Sequence, residues 1–158
     1  MQQRLIVKIM EKKFFLIKTF IIYFFLLSNG FTAQTNYFKE GRALFESKEF
    51  VKSKIFFEKD IVFNPRSEKS YLYLAKIFNY NENEQSEELN LNSVLILNPK
   101  NDEALYMLIL LKIKQYDYDQ AKQLIKKFDL VCKSFCSKKA EIKDKFSKLT
   151  PDNEKDNN

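Results

Sequence analysis

KDIVFNP (residues 59–65) and NSVLILNP (residues 92–99) close on the same dipeptide, and the two pairs, Asn64-Pro65 and Asn98-Pro99, lie 34 positions apart. The residues that open the stretches between them keep the interval. Tyr37 and Tyr71 are 34 apart, and Leu105 follows 34 beyond Tyr71. A fixed period of this length marks a repeated supersecondary unit, and it governs how every shorter pattern is read. Within each unit the apolar residues recur at helical spacing on both sides of a short polar break, so each unit is expected to be a helical hairpin. The first places Tyr37, Gly41, Leu44 and Phe45 on one helix, turns at Ser47-Lys48-Glu49, and returns through Phe50, Phe56, Phe57, Ile61 and Phe63. The second runs through Tyr71, Leu74, Ala75 and Phe78, breaks from Asn79 to Ser86, and returns through Leu91, Val94 and Leu95. The third carries Leu105, Leu108, Ile109 and Leu111, turns at Gln115-Tyr116-Asp117, and returns through Ala121, Leu124, Ile125 and Phe128.

Local signals agree with the period. Ser67 before Glu68, and Asn101 before Asp102-Glu103, put a capping side chain and then negative charge at the positive end of a helix. Asp117 with Gln120 three residues on has the form of a capping box. Pro65 and Pro99 fall between helices, where a missing N–H breaks no ladder. Strands are not expected: alternation of useful length is absent, and two glycines in 158 residues leave no turn chemistry for hairpin sheets. Gly41 and Ser53, small amid bulky Phe neighbours, are expected to face each other where the first two helices approach closely.

From Tyr37 to about Lys133 the chain resembles the tetratricopeptide repeat family. In the first unit Tyr37 stands at the family's opening tryptophan, Gly41 at its small residue, Leu44 at its aromatic, Phe50 at the tyrosine after the turn, Ser53 at its alanine, Phe57 at its aromatic and Pro65 at its closing proline. Tyr71, Leu74, Ala75, Phe78, Leu91 and Pro99 repeat the pattern; Leu105, Leu108, Tyr118 and Ala121 supply the third unit. Several positions depart from it. Glu84 and Glu87 stand where an aromatic and a small residue are usual, which predicts a loose or shifted return helix in the second hairpin. Ile109 is bulky at a small-residue site, Asp60 replaces an alanine and Lys133 the third proline. The resemblance implies an all-α, right-handed superhelical stack of about three hairpins, with repeats at about 34–67, 68–101 and 102–133. Residues 134–149, with Phe135, Ile142, Phe146 and Leu149 among lysines, then form a capping helix over the last exposed face. Residues 150–158 are too polar to bury anything and read as a disordered tail.

The same resemblance implies that the first helices of the hairpins line a concave surface used for binding. Its inward positions here are Phe38, Arg42, Phe45, Lys69, Leu72, Tyr73, Lys76, Tyr80, Tyr106, Leu110 and Ile113. Phe38, Leu72 and Leu110 have a plainer reading as packing between hairpins. Arg42, Lys69 and Lys76 are harder to explain by packing; they point to a carboxylate-bearing partner, with Tyr73 and Tyr106 as apolar anchors. Lys138 and Lys145 on the capping helix are expected to face solvent only.

The N-terminal segment has its own composition. After Arg4, Lys8, Lys12 and Lys13, residues 14–27 read FFLIKTFIIYFFLL and end at Ser28-Asn29-Gly30, the pattern of a secretory signal over residues 1–33. Its uninterrupted apolar part is far shorter than the roughly 20 residues that span a bilayer, while Leu5 to Leu27 could cross at a tilt as an uncleaved anchor. Met10 is a second candidate start. Residues 1–33 hold five of the 27 basic and one of the 21 acidic residues, leaving 22 against 20, or +2, for the remainder. The basic excess is therefore mostly targeting charge, and a nucleic-acid partner is not expected. With no histidine and no glycine-rich loop the chain offers no usual triad, zinc site or phosphate cradle, so neither catalysis, a metal nor a cofactor is expected. Cys132 and Cys136 form a disulfide, if an oxidising compartment receives the domain, or remain two thiols. These features lead to an exported interaction module, periplasmic or secreted, holding an acidic or amphipathic segment of another protein in its groove. The alternative is a scaffold component of a bacterial envelope assembly, tethered in the inner membrane by residues 5–27. The membrane is expected to be met only through the N-terminal segment, and only if that segment is uncleaved.

Overall fold

A computed structural model describes residues 36–149 of the chain. The expected signal or anchor segment and the C-terminal tail lie outside the described residues. Among the described residues seven α-helices follow one another: α1 (Tyr37–Glu46), α2 (Phe50–Phe63), α3 (Glu68–Tyr80), α4 (Glu84–Leu97), α5 (Asp102–Lys114), α6 (Tyr118–Val131) and, after a 3-10 turn at Cys136–Lys138, α7 (Lys139–Leu149). No strand occurs among the described residues. The closest helix pairs are α1 with α2, α3 with α4 and α5 with α6, and neighbouring hairpins meet through α2 with α3 and α4 with α5. The fold is thus a stack of three helical hairpins closed by α7.

Asparagine and aspartate start most of these helices. Asn36, Asn83, Asn101 and Asp117 each accept a hydrogen bond from the N–H three residues on, at 2.8 to 3.2 Å, so one free amide per helix start is satisfied. Ser67 differs from the expectation. Its hydroxyl bonds to Ser70 Oγ at 3.0 Å instead of capping α3, and Ser70 donates onward to Asp60 of α2. A side chain expected to serve one helix end instead joins two hairpins.

The break in the second hairpin is shorter than its polarity implies. Helix α3 continues through Asn79 to Tyr80 and α4 begins at Glu84, so the turn is Asn81 to Asn83. Nor is α4 loosely packed, since Glu87, Asn90, Leu91 and Val94 are all buried. Glu87 keeps its place at the small-residue site because Asn79 Nδ2 donates to both carboxylate oxygens, at 3.1 and 3.2 Å; the polar part of the apparent break is what makes the burial tolerable. Gly41 is buried with Ser53 Oγ donating to its carbonyl at 2.8 Å. An added Cβ there would meet the Phe57 ring at 2.9 Å and Phe56 Cβ at 3.2 Å.

Three clusters of buried side chains form the core: Phe57, Leu74 and Ile77 between the first two hairpins; Leu72, Ala75, Leu91, Val94, Ala104, Leu108 and Leu111 between the second and third; and Leu105, Ile109, Ile113, Ala121, Phe128 and Ile142 at the end of the stack. Ile142 comes from α7, and Phe135 and Phe146 pack beside it, so the terminal helix covers the apolar face of the third hairpin as a cap does. It leans on α5 more than on α6. Cys132 and Cys136 are joined by a disulfide, with 5.3 Å between their Cα atoms. A continuous helical turn would have aimed their Cβ atoms apart; the chain instead leaves α6 at Cys132 and re-enters a 3-10 turn at Cys136. The loop between them is gathered by Asp102 at the start of α5, whose Oδ2 accepts from the N–H groups of Lys133, Ser134 and Phe135 at 2.7, 2.6 and 2.9 Å.

Candidate functional site

The first helices α1, α3 and α5 carry every residue expected to line the binding surface, and its character changes along the stack. At the first two hairpins it is an aromatic cluster. The Tyr73 ring stacks on Phe57 at 5.0 Å and meets Phe45 and Phe38 edge-on at 5.0 and 5.8 Å. Phe50 joins Phe45 at 5.2 Å and Tyr80 at 4.5 Å. Such pairs contribute about 0.5 to 1.5 kcal/mol each beyond their burial, so Phe38, Phe45 and Tyr73 hold hairpins together. Tyr80 keeps most of its surface exposed. Leu72 is buried in the core and leaves the candidate contact surface, while Ile113, also buried, borders the open groove only as part of its apolar floor.

The cations along this face are already partnered. Arg42 Nε donates to Glu46 Oε1 at 2.8 Å, the Lys69 ammonium lies 5.9 Å from the Phe38 ring centre, and Lys76 pairs with Glu103 at 2.7 Å while sitting 4.9 Å from the Tyr73 ring centre. Lys76 and Glu103 tie α3 to α5, a connection across hairpins that helical phase alone does not reveal. Tyr106 is also committed: its hydroxyl donates to Glu141 Oε1 at 3.0 Å and its ring packs at 5.8 Å from Phe135. The terminal helix thus covers part of the surface on which Tyr106 was expected to be an anchor.

What remains open is a groove of about 430 Å³ bounded by the end of α3, the start of α4, α5 and α7, and lined by Asn79, Glu87, Leu110, Leu111, Ile113, Lys114, Lys145 and Lys148. Half-buried Leu110 offers the apolar contact, and the lysine side chains form the rim. Lys114 pairs with Glu84 at 2.9 Å, Lys145 with Glu141 at 3.2 Å and Lys148 with Asp144 at 2.7 Å. Lys145 therefore borders the groove, and Lys138, paired with Glu141 at 2.9 Å and 5.4 Å from the Tyr106 ring centre, lies beside the covered anchor; neither is the purely solvated lysine that was expected. Lys112 on the same helix as Lys114 is buried, with its ammonium on Glu88 at 2.6 Å and on Gln115 Oε1 at 3.1 Å.

Two carboxylates here are held in opposite directions. Burial pushes the Glu87 pKa up, against the hydrogen bonds from Asn79 and the charge of Lys114. Hydrogen bonds from Lys138, Tyr106 and Lys145 hold Glu141 down at about 2. For Asp102 burial works upward, yet the backbone N–H groups of Phe135, Lys133 and Ser134 outweigh it and leave the carboxyl below its ordinary value. These are structural acids with satisfied partners, and among the described residues no buried side-chain polar atom lacks a hydrogen bond. The groove thus combines an apolar floor with a polar rim. Glu87 and Lys114 were outside the expected set, although the misfit of a glutamate at a small-residue site was visible in the sequence.

No protein-family model and no curated protein matches the chain. Solved structures do. A chain of the CopN-Scc3 complex superposes with a TM-score of 0.61 at 19% identity, over 68% of this chain and 65% of that one, so the match spans just under two thirds of that protein. The Sgt2 TPR domain from Aspergillus fumigatus superposes with a TM-score of 0.56 at 16% identity, over 72% of this chain and 74% of that domain. At these identities the likeness speaks to the fold, and with the 34-residue period and the three stacked hairpins it makes this a tetratricopeptide-like helical repeat protein.

Proposed function

We propose that the chain is a non-catalytic protein-interaction module, exported from the cytoplasm, that holds an amphipathic segment of a partner protein against the groove between α5 and α7. The observation that carries this reading is the open groove itself. Elsewhere on the face most aromatics are used in packing, whereas half-buried Leu110 borders an open groove rimmed by ion-paired lysines. Because those lysines already hold carboxylates, an acidic segment gains only by exchanging one ion pair for another, and apolar contact supplies the affinity. The bonded cysteine pair supports an oxidising destination, as does the apolar run at residues 14–27. The partner is a protein because a long stacked surface with an apolar groove suits an extended or helical segment.

Photo-crosslinking tests the reading. A photoreactive residue at Leu110, compared with one at Gln123 on the exposed side of α6, should give a discrete adduct from an envelope extract only at position 110. Lys114→Glu should weaken that adduct. Equal adducts at both positions, or none at 110, would overturn the groove assignment.

A further inference from the structure

The return helices α2, α4 and α6 end alike. Val62, Ile96 and Leu130 occupy the penultimate position of each, spaced by 34 residues, and are 73, 79 and 86% exposed. The final residues repeat the theme, with Phe63 at 73%, Leu97 at 36% and Val131 half-buried. Nothing in the repeat's own packing asks for a large apolar side chain at the penultimate site, since it faces away from the hairpin. Scattered exposed apolar residues are ordinary; three at one structural position along one edge are not.

A cation follows each of them. Arg66 and Lys100 lie four residues beyond Val62 and Ile96, and Lys133 three beyond Leu130, all exposed and none in an ion pair among the described residues. The neighbouring acids are engaged internally. Glu68 accepts from Asn98 and Asn101, Asp102 from three backbone N–H groups, Glu103 pairs with Lys76, and Asp129 with Lys139. The edge therefore presents apolar side chains together with three exposed cations that form no ion pair among the described residues, while Glu68 and Asp102, hydrogen-bonded to neutral amides, keep their own negative charge close by. The described stack also begins here: Tyr37, the first residue of α1, stacks its ring on Phe63 at 5.4 Å, and in the sequence eight residues separate the apolar run of residues 14–27 from Asn36.

We propose that this edge, where α2, α4 and α6 end, rests on the surface of an anionic lipid bilayer, with Val62, Ile96 and Leu130 entering the headgroup region and Arg66, Lys100 and Lys133 meeting its phosphates. Among the described residues no helix is long and apolar enough to cross a membrane, so the contact is peripheral. Apolar area and basic charge act together in such binding, and each basic residue near an anionic surface strengthens it about fivefold. A second copy of the chain is the competing occupant, because Ile55 and Leu89, seven residues before Val62 and Ile96 and 46 and 68% exposed, continue the stripe along α2 and α4. It would cover the whole stripe. A bilayer at the edge reaches Ile96 but leaves Leu89, about 10 Å further along the helix, in water. The contact is independent of the groove, which lies on α5 and α7.

The test uses the full chain added to vesicles of mixed anionic and zwitterionic lipid brominated in the acyl chains. A fluorophore is placed on Ile96→Cys or, separately, on Leu89→Cys, the native cysteines being bonded to each other. Quenching is expected at 96 and several-fold less at 89. Arg66→Gln, Lys100→Gln and Lys133→Gln combined should lower the binding of the 96-labelled chain to anionic vesicles about a hundredfold. Equal quenching at both sites, quenching at neither, or indifference to the triple charge substitution would overturn the proposal. So would self-association in lipid-free buffer that Val62→Asp, Ile96→Asp and Leu130→Asp abolish, which would assign the stripe to a second copy. Loss of the Leu110 adduct with quenching intact would remove the groove reading and leave this one standing.

Discussion

Glycine placed at Lys48, Glu82 and Tyr116 should stabilise the repeat domain, an unusual outcome for glycine in a helical protein. These residues sit 34 apart, one in each hairpin turn, with φ of 61, 55 and 60°. An L-residue held there loses roughly 1 to 2 kcal/mol to the contact between its Cβ and the carbonyl oxygen. Glycine removes that contact but widens the unfolded ensemble, which returns about 0.5 to 1 kcal/mol. The net gain is about 0.5 kcal/mol at each exposed turn. Tyr116 is the exception, because its ring meets Tyr118 edge-on at 6.2 Å, and losing that contact cancels the gain. The triple variant should therefore gain about 1 kcal/mol, nearly all of it from Lys48→Gly and Glu82→Gly, which for a domain near this size raises Tm by about 4 °C. The matched control is the preceding residue in each turn, Ser47, Asn81 and Gln115, with φ of −80, −87 and −80°. Glycine there relieves nothing and should lower Tm. Thermal and urea melts followed by far-ultraviolet circular dichroism would measure both sets. If glycine at 48 and 82 destabilises as much as at 47 and 81, the left-handed turns are not strained and the reasoning fails.

Gly41→Ala should lose about 1 to 3 kcal/mol in the same melts, despite alanine's better helix propensity, since its Cβ would lie 2.9 Å from Phe57 Cε1 and 3.2 Å from Phe56 Cβ; a gain in stability would show that the Phe57 ring and the α2 backbone at Phe56 can withdraw freely. Glu141 has a folded pKa of about 2 against an ordinary 4.5, so its contribution is complete above pH 4.5 and disappears as pH falls toward 2. Glu141→Gln should accordingly be less stable near neutrality and show a shallower loss of stability between pH 4.5 and 2, and an unchanged acid limb in unfolding curves would contradict the assignment. Replacing Cys132 and Cys136 by serine opens a five-residue loop, a loss of about 2 kcal/mol by chain entropy. Amide exchange at Lys133, Ser134 and Phe135 should quicken more than in α2 or α4, and protection that survives the substitution would assign the loop's order to Asp102 alone.

The period of Asn64-Pro65 and Asn98-Pro99 was enough to place the hairpins, because a proline two residues after an apolar helix end leaves the chain no way to continue it. Depth was harder to read. Helical phase placed Leu72 and Ile113 with Tyr80 and Leu110 on the first helices, yet the first two are in the core and the others are not; neighbouring hairpins and α7 decide how far each is covered, and that is a tertiary matter. Long-range pairs were invisible for the same reason. Lys76 gave no sign of Glu103, 27 residues on, and Asp102 looked like a helix-start charge when its oxygen in fact gathers the loop 31 to 33 residues away. Glu87 lay between these cases. Its misfit is legible in the sequence, but the remedy, Asn79 across the turn, belongs to a polar stretch that carries the signature of a loop.

That carboxylate at Asp102 bears on a general difficulty of modular chains. A stack of identical units has no intrinsic length: the face that accepts one more hairpin is regenerated by each addition, and a bare terminus can recruit a neighbouring molecule. Here the third unit does not exit through Asn-Pro as the first two do. Its chain is folded back by a cystine and by one oxygen atom binding three consecutive amides, and the helix that follows leans on α5 more than on α6, unlike α3, which leans on α2 more than on α1. The growing end is thereby turned into a dead end. Among the described residues the run of like units ends where one carboxylate oxygen and a cystine give the following helix a different seat.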